Sequence, residues 1–133
     1  MQKTDFKKLR KILNKTQKEM ASLLSISKKT VESYEQGLRN IPPNVQRIVY
    51  FLVFKFNMDK VDKKRNCWQA KKCTMPIRKN CVAYLAKEGF FCWFITGRVC
   101  AVELTSETCC DSCFECDFFR ESLDKILAGN PHL

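Results

Sequence analysis

Nine cysteines, at positions 67, 73, 81, 92, 100, 109, 110, 113 and 116, are the residues whose type and spacing most directly imply chemistry. Cys110, Cys113 and Cys116 have C-x2-C-x2-C spacing, with which three thiolates wrap one cubane cluster while a distant cysteine supplies the fourth ligand. The only histidine is His132, so a buried metal site in this segment is essentially all-thiolate. Tetrahedral sulfur ligation suits zinc or an iron-sulfur cluster. Zinc ribbons use paired C-x2-C knuckles, and only one such pair can be drawn without overlap in this tail. The remaining gaps are irregular: five residues separate Cys67 from Cys73, seven separate Cys73 from Cys81, and ten separate Cys81 from Cys92. Irregular gaps with bulky Trp and Phe neighbours favour a shielded iron-sulfur cluster, of the 4Fe-4S type, with zinc as the alternative.

Two partitions of the thiols fit the count. Cys67, Cys73, Cys81, Cys92, Cys100, Cys110, Cys113 and Cys116 could hold two four-cysteine sites, leaving Cys109 as the awkward neighbour of Cys110. Equally, one cluster could use four of them while the others stay buried as small hydrophobes. The second account suits Cys100, in the apolar "RVCAVEL". It does not suit the 110–116 group, which lies among Asp111, Ser112, Glu115 and Asp117. A disulfide framework is disfavoured by the odd count and by the expected compartment. The N-terminal "MQKTDFKKLRKILNKTQ" has no apolar signal segment, and the longest apolar run, "IVYFLV" (48–53), is too short for a bilayer. The expectation is a cytoplasmic protein with no membrane partner, where thiols stay reduced.

These cysteines occupy only half of the chain. Residues 1–65 carry 16 Lys/Arg and 6 Asp/Glu and no cysteine, whereas residues 66–133 carry 8 of each charge and every cysteine. Charge and cysteine divide at the same place, near "MDKVDKKRN" (58–66). The organisation expected is a basic domain over 1–57, a charged linker over 58–66, and a cysteine-rich module with a C-terminal helix over 67–133. A basic half of this kind points to a polyanionic partner.

The basic half reads as a series of short helices. In "DFKKLRKILN" (5–14), Phe6, Leu9 and Ile12/Leu13 recur at helical spacing, with the lysines and Arg10 on the other face. "TQKE" (16–19) is a capping box that opens a second helix, whose expected buried stripe is Met20, Leu23 and Leu24. Ser27 can cap a third helix, "KKTVESYEQ", which turns Val31 and Tyr34 inward and leaves Lys28, Lys29, Thr30 and Ser33 on the open face. Gly37 fits its C-terminal cap. Two short helices joined by a tight turn, the second with a polar and basic outer face, make a helix-turn-helix, and residues 1–57 are the expected helix-turn-helix DNA-binding domain. Lysines on a helix face ordinarily mean solvation. Here the cap, the turn and the net charge of +10 favour DNA.

The segment "TQKEMASLLSISKKTVESYEQGLRNIP" resembles the phage-repressor and xenobiotic-response-element family of DNA-binding domains. It does so through Gln17, Ala21, Ile26, Val31 and the closing "YEQGLRNIP", within a likeness covering about residues 5 to 56. Ser25 departs from the pattern, standing where glycine is common. A non-glycine residue at positive φ there costs on the order of 1 kcal/mol. The resemblance implies double-stranded DNA as partner, with Gln17 on phosphate and the third helix in the major groove. Lys28, Lys29, Thr30 and Ser33 are the candidate readers of base edges or flanking phosphates. Arg39 and Asn40, in the next loop, are candidate backbone contacts.

Farther along, Trp68 and Trp93 each follow a cysteine, so "CWQAKKC" and "CWFITGRVC" are two versions of one unit. With "CVAY" and "CFECDFF" they resemble the two-CW cysteine-rich domain of bacterial and archaeal regulatory proteins, over residues 67 to about 119. This resemblance implies a metal or iron-sulfur module.

Two further helices complete the reading. In "IPPNVQRIVYFLVFKF" (41–56), Val45, Ile48/Val49, Leu52 and Phe56 line one face while Tyr50, Phe51 and Phe54 fill much of the rest. A helix apolar nearly all round is buried on more than one side: one side can cover the helix-turn-helix core, and the other can pack on the cysteine-rich module or on a second subunit. A homodimer is the expectation, because such domains usually read two half-sites. "FFRESLDKILAGN" (118–130) is a helix with Leu123, Ile126 and Leu127 inward and a Glu121–Lys125 pair outside. The fold class expected is mainly α. No nucleophile–base pair, phosphate loop or cofactor fingerprint supports an enzyme. The function that unites the halves is a transcriptional regulator whose cluster senses redox state, oxygen, nitric oxide or iron. The alternative is the same regulator with a structural zinc module for partner binding.

Overall fold

The structure is a computed structural model that describes residues 1–62, 64–66, 69, 75, 79, 82–96 and 117–130. The described residues are mainly helical and include no strand. Two compact units divide the chain, one of residues 1–57 with 129–133 and one of residues 58–128.

The first unit is built from four helices: α1 (Lys3–Ile12), α2 (Gln17–Leu24), α3 (Lys28–Gln36) and α4 (Pro43–Phe56). Helix α2 packs on α3, and α1 packs on both α3 and α4. Local chemistry sets each boundary. The Gln2 amide donates to Asp5 Oδ2 at 3.0 Å at the start of α1. At the start of α2, the Glu19 amide donates to Thr16 Oγ1 at 3.1 Å, and the Thr16 amide donates back to Glu19 Oε1 at 3.3 Å. The capping box is thus formed as read, supplying two backbone donors that the first turn of a helix cannot pair internally.

The turn between α2 and α3 follows from two serines. Ser25 ends α2 in the left-handed conformation at φ 57°, ψ 41°, the position where its lack of a glycine is felt. The Ile26 amide then closes on Ala21 O at 3.0 Å. Two residues on, Ser27 Oγ accepts from the Thr30 amide at 3.1 Å and starts α3. Gly37, at φ 77°, ends α3 as expected.

Phe6, Met20, Val31, Val49 and Val53 are fully buried and form the centre of this core, with Leu9, Leu13, Leu24 and Tyr34 around them. Burying a side chain of this size contributes roughly 1.5–3 kcal/mol. Phe6 meets Tyr34 edge to face, with ring centroids 5.6 Å apart.

Several apolar positions differ from the sequence reading. Leu23 is 44 % exposed, and Ala21 takes its place in the buried stripe of α2. In α4 the buried line runs through Val45, Val49, Tyr50, Val53 and Phe54, whereas Ile48 is at the surface and Phe56 is 64 % exposed. Both errors have one cause. Where apolar residues are adjacent in a helix, the docking of α1 and α2 decides which of them turns inward, and periodicity alone does not.

The second unit contains a 3-10 turn (Met58–Lys60) and helices α5 (Val82–Leu85), α6 (Cys92–Thr96) and α7 (Asp117–Ala128) among its described residues. Aromatic rings fill its interior. Phe90 lies 5.0 Å from Phe91 and 6.5 Å from Phe118, and Trp93 lies 5.1 Å from Phe119. Trp93 is 1 % exposed, and Ser122, Leu123 and Ile126 complete the inner face of α7. Glu121 pairs with Arg65 Nη1 at 3.2 Å rather than with Lys125, and the Arg65 guanidinium also sits 5.1 Å from the centre of the Phe118 ring. An (i, i+4) pattern does not reveal a partner 56 residues away.

Candidate nucleic-acid interface

Helix α3 presents the four residues singled out as readers. Lys28 and Lys29 are exposed, while Thr30 and Ser33 are half-buried at its base. Their internal bonds define what each can offer. Lys28 Nζ lies 3.7 Å from Glu32 Oε1, an exposed (i, i+4) contact worth at most a few tenths of a kcal/mol, so the ammonium is easily redirected. Lys29 has no ion pair among the described residues. The Thr30 and Ser27 hydroxyls share a hydrogen bond of 2.8 Å. Ser33 Oγ donates to Lys29 O at 2.9 Å. That bond uses the hydroxyl's single proton, so the lone pairs of Ser33 remain to accept from an incoming donor.

A polar hub that pattern reading missed ties α3 to its neighbours. Arg10 Nε meets Glu35 Oε1 at 2.5 Å, and Arg10 Nη2 meets Glu35 Oε2 at 3.3 Å. The two side chains are 14 % and 7 % exposed. Arg10 therefore faces inward and not, as expected, with the lysines of α1. Arg10 Nη1 also donates to Lys15 O at 2.8 Å, and Gln17 Nε2 donates to Glu35 Oε2 at 2.8 Å. The hub joins α1, the turn after it, α2 and α3. Gln17, the expected phosphate contact, is half-buried with one amide hydrogen directed at Glu35, which leaves its second N–H for an outside acceptor.

Two open clefts flank the α2–α3 unit. One, of about 400 Å³, is lined by Arg10, Lys11, Asn14, Lys15 and Thr16 beside the start of α2. The other, of about 430 Å³, includes Arg39 and Asn40, the two loop residues expected to meet the DNA backbone. Neither lining contains a carboxylate. In the first cleft Arg10 is paired with Glu35 and Lys15 Nζ lies 3.8 Å from Glu19 Oε2, so Lys11 is its one cation without an ion pair among the described residues. Lys3 and Arg39 of the second make none among those residues. Unpaired cations in a cleft favour a polyanion.

Among the cysteines singled out, Cys92 is described: it is 7 % exposed and opens α6 beside Trp93. Cys67, Cys73, Cys81, Cys100, Cys109, Cys110, Cys113 and Cys116 lie outside the described residues, as does His132. No helix among the described residues is long and apolar enough to cross a membrane.

Comparison with known proteins agrees with the geometry of the first unit. Residues 6–45 match the family model described as helix-turn-helix. No curated protein and no solved structure matches the chain. The match supports a DNA-binding transcriptional regulator, and the N-terminal segment is, by its caps, its turn and this family match, a helix-turn-helix.

Proposed function

We propose that the chain is a DNA-binding transcriptional regulator that reads double-stranded DNA as a homodimer and carries an iron-sulfur cluster in its cysteine-rich half. The observation that carries the DNA reading is the arrangement of α3. Its cap and the Arg10–Glu35–Gln17 hub tie the helix to α1 and α2, with Lys28 and Lys29 exposed on it and Thr30 and Ser33 half-buried. Lysines supply the phosphate attraction, while the two hydroxyls and Lys29 supply groups that can discriminate base edges. Dimerisation follows from the need of such domains to read two half-sites, and the exposed Ile48 and Phe56 of α4 supply apolar surface for it.

The cluster reading rests on the donor set. Cys110, Cys113 and Cys116 have cubane spacing, the remaining thiols supply further ligands, and the sole histidine stands next to the C-terminus. Cys92, buried and next in sequence to the buried Phe91 and Trp93, is the one described thiol of that donor set. A bound iron-sulfur cluster supplies one-electron redox chemistry and sensitivity to oxygen and nitric oxide. This chain's own part is to couple the state of the thiol module to the presentation of α3.

Anaerobic purification of the full chain tests both parts. The expected protein is brown, contains iron and labile sulfide, and binds selected duplex DNA with an affinity that changes on oxidation. A colourless protein with stoichiometric zinc replaces the sensor with a structural zinc module. Failure to bind any duplex at low salt removes the regulator reading itself.

A further inference from the structure

The 430 Å³ cleft beside Arg39 brings in residues from the opposite end of the domain. Gln2, Lys3, Tyr34, Arg39, Asn40 and Gln46 line it, so the start of α1 meets the loop that follows α3. Lys3 and Arg39 are both exposed, and neither makes an ion pair among the described residues. Lys3 nonetheless runs close to the end of α3. A Cβ added at Gly37 would lie 2.9 Å from Lys3 Cδ and 3.6 Å from Lys3 Nζ. The stem of Lys3 therefore lies against the bare backbone at the end of α3, where a side chain would displace it.

We propose that Lys3 is a DNA-binding residue. Together with Arg39 and Asn40 it forms a cleft that takes a backbone phosphodiester of the duplex in which α3 sits. This rests on the reading of α3 as the helix that enters the major groove. The cleft stands at the first residue of α1, and the Lys11/Lys15 cleft stands at the other end of that helix. Phosphate contacts of this kind fix register and orientation without carrying sequence information.

Binding of the full chain to its selected operator and to an unrelated duplex, measured by fluorescence anisotropy across a sodium chloride series, tests the assignment. Lys3→Gln is expected to weaken both complexes alike and to reduce the slope of log K against log salt by about 0.9. Lys3→Arg restores the slope, Arg39→Gln lowers it similarly, and Lys125→Gln, in the second unit, leaves it unchanged. Circular dichroism confirms that each variant remains folded. If Lys3→Gln has the slope of wild type while wild type binds DNA, the assignment of Lys3 is overturned and the helix-turn-helix reading stands. If inorganic phosphate perturbs Lys3 while that slope is unchanged, the cleft is a small-anion site, which also overturns it. If wild type binds no duplex, both readings fall together.

Discussion

Arg10 and Glu35, 25 residues apart, form a two-point ion pair that ties α1 to α3. Gln17 adds a third strut from α2 to the same carboxylate. The orientation of α3 is thus set by a fork of directional bonds as well as by apolar packing. Removing one partner of a nearly buried pair strands the other charge, which costs about 3–5 kcal/mol. Glu35→Ala is expected to destabilise the N-terminal unit by that order, measured by chemical denaturation. Arg10→Met with Glu35→Leu recovers most of the loss, because no charge is then left buried. Equal stability of Glu35→Ala and wild type would show that the pair is solvent-screened.

Ser33 carries a prediction about specificity. With its proton held by Lys29 O, its hydroxyl acts as an acceptor. Its natural partners in the major groove are the exocyclic amino groups of adenine and cytosine. Ser33→Ala is expected to flatten the preference for one base pair by about 1 kcal/mol while leaving binding elsewhere unchanged. Competition binding over single-position operator variants checks this, and an unaltered preference profile removes Ser33 from the readers.

Glu19 gives a pH signature of the capping box. The Thr16 hydroxyl bond, then the Thr16 backbone bond, hold its carboxyl below the usual 4.5, with Lys15 adding a smaller effect. A carboxyl lowered in the fold contributes stability that is fully present above its unfolded value and is lost as pH falls through the lowered folded value. Carbon-detected NMR titration is expected to find Glu19 titrating below 4.5, and Thr16→Ala is expected to move it back up. A Glu19 midpoint unchanged by Thr16→Ala contradicts this assignment of cause.

Gly89 tests the packing of the second unit. A Cβ there would lie 2.4 Å from Asn66 Oδ1 and 2.8 Å from Asn66 Cα, and the backbone atom cannot swing aside. Gly89→Ala is expected to loosen the segment that leads into Phe90, Phe91 and Cys92. The readout is alkylation of Cys92, resolved by peptide mass spectrometry, which should proceed at least several-fold faster than in wild type. An unchanged rate means that the segment absorbs the methyl group elsewhere.

The parts of this protein legible in its residues are those whose causes lie within a few positions of one another. Thr16 with Glu19, Ser27 with Thr30, and the left-handed Ser25 and Gly37 are decided by donors and φ angles three residues apart or fewer, so the two short helices and their turn can be read directly. The spacing of Cys110, Cys113 and Cys116 is local in the same sense and sets the candidate chemistry of the second half. Tertiary structure decided the rest. Leu23 and Phe56 are as apolar as their buried neighbours, and the docking of whole helices leaves them outside. Arg10 looks like one more basic residue of α1 until folding brings Glu35 to it, and Lys3 is an ordinary surface lysine until Gly37 gives its stem a place to lie. The physical reason is range: a cap is a bond between near neighbours in the chain, whereas an ion pair or a cleft exists only once separate helices have met.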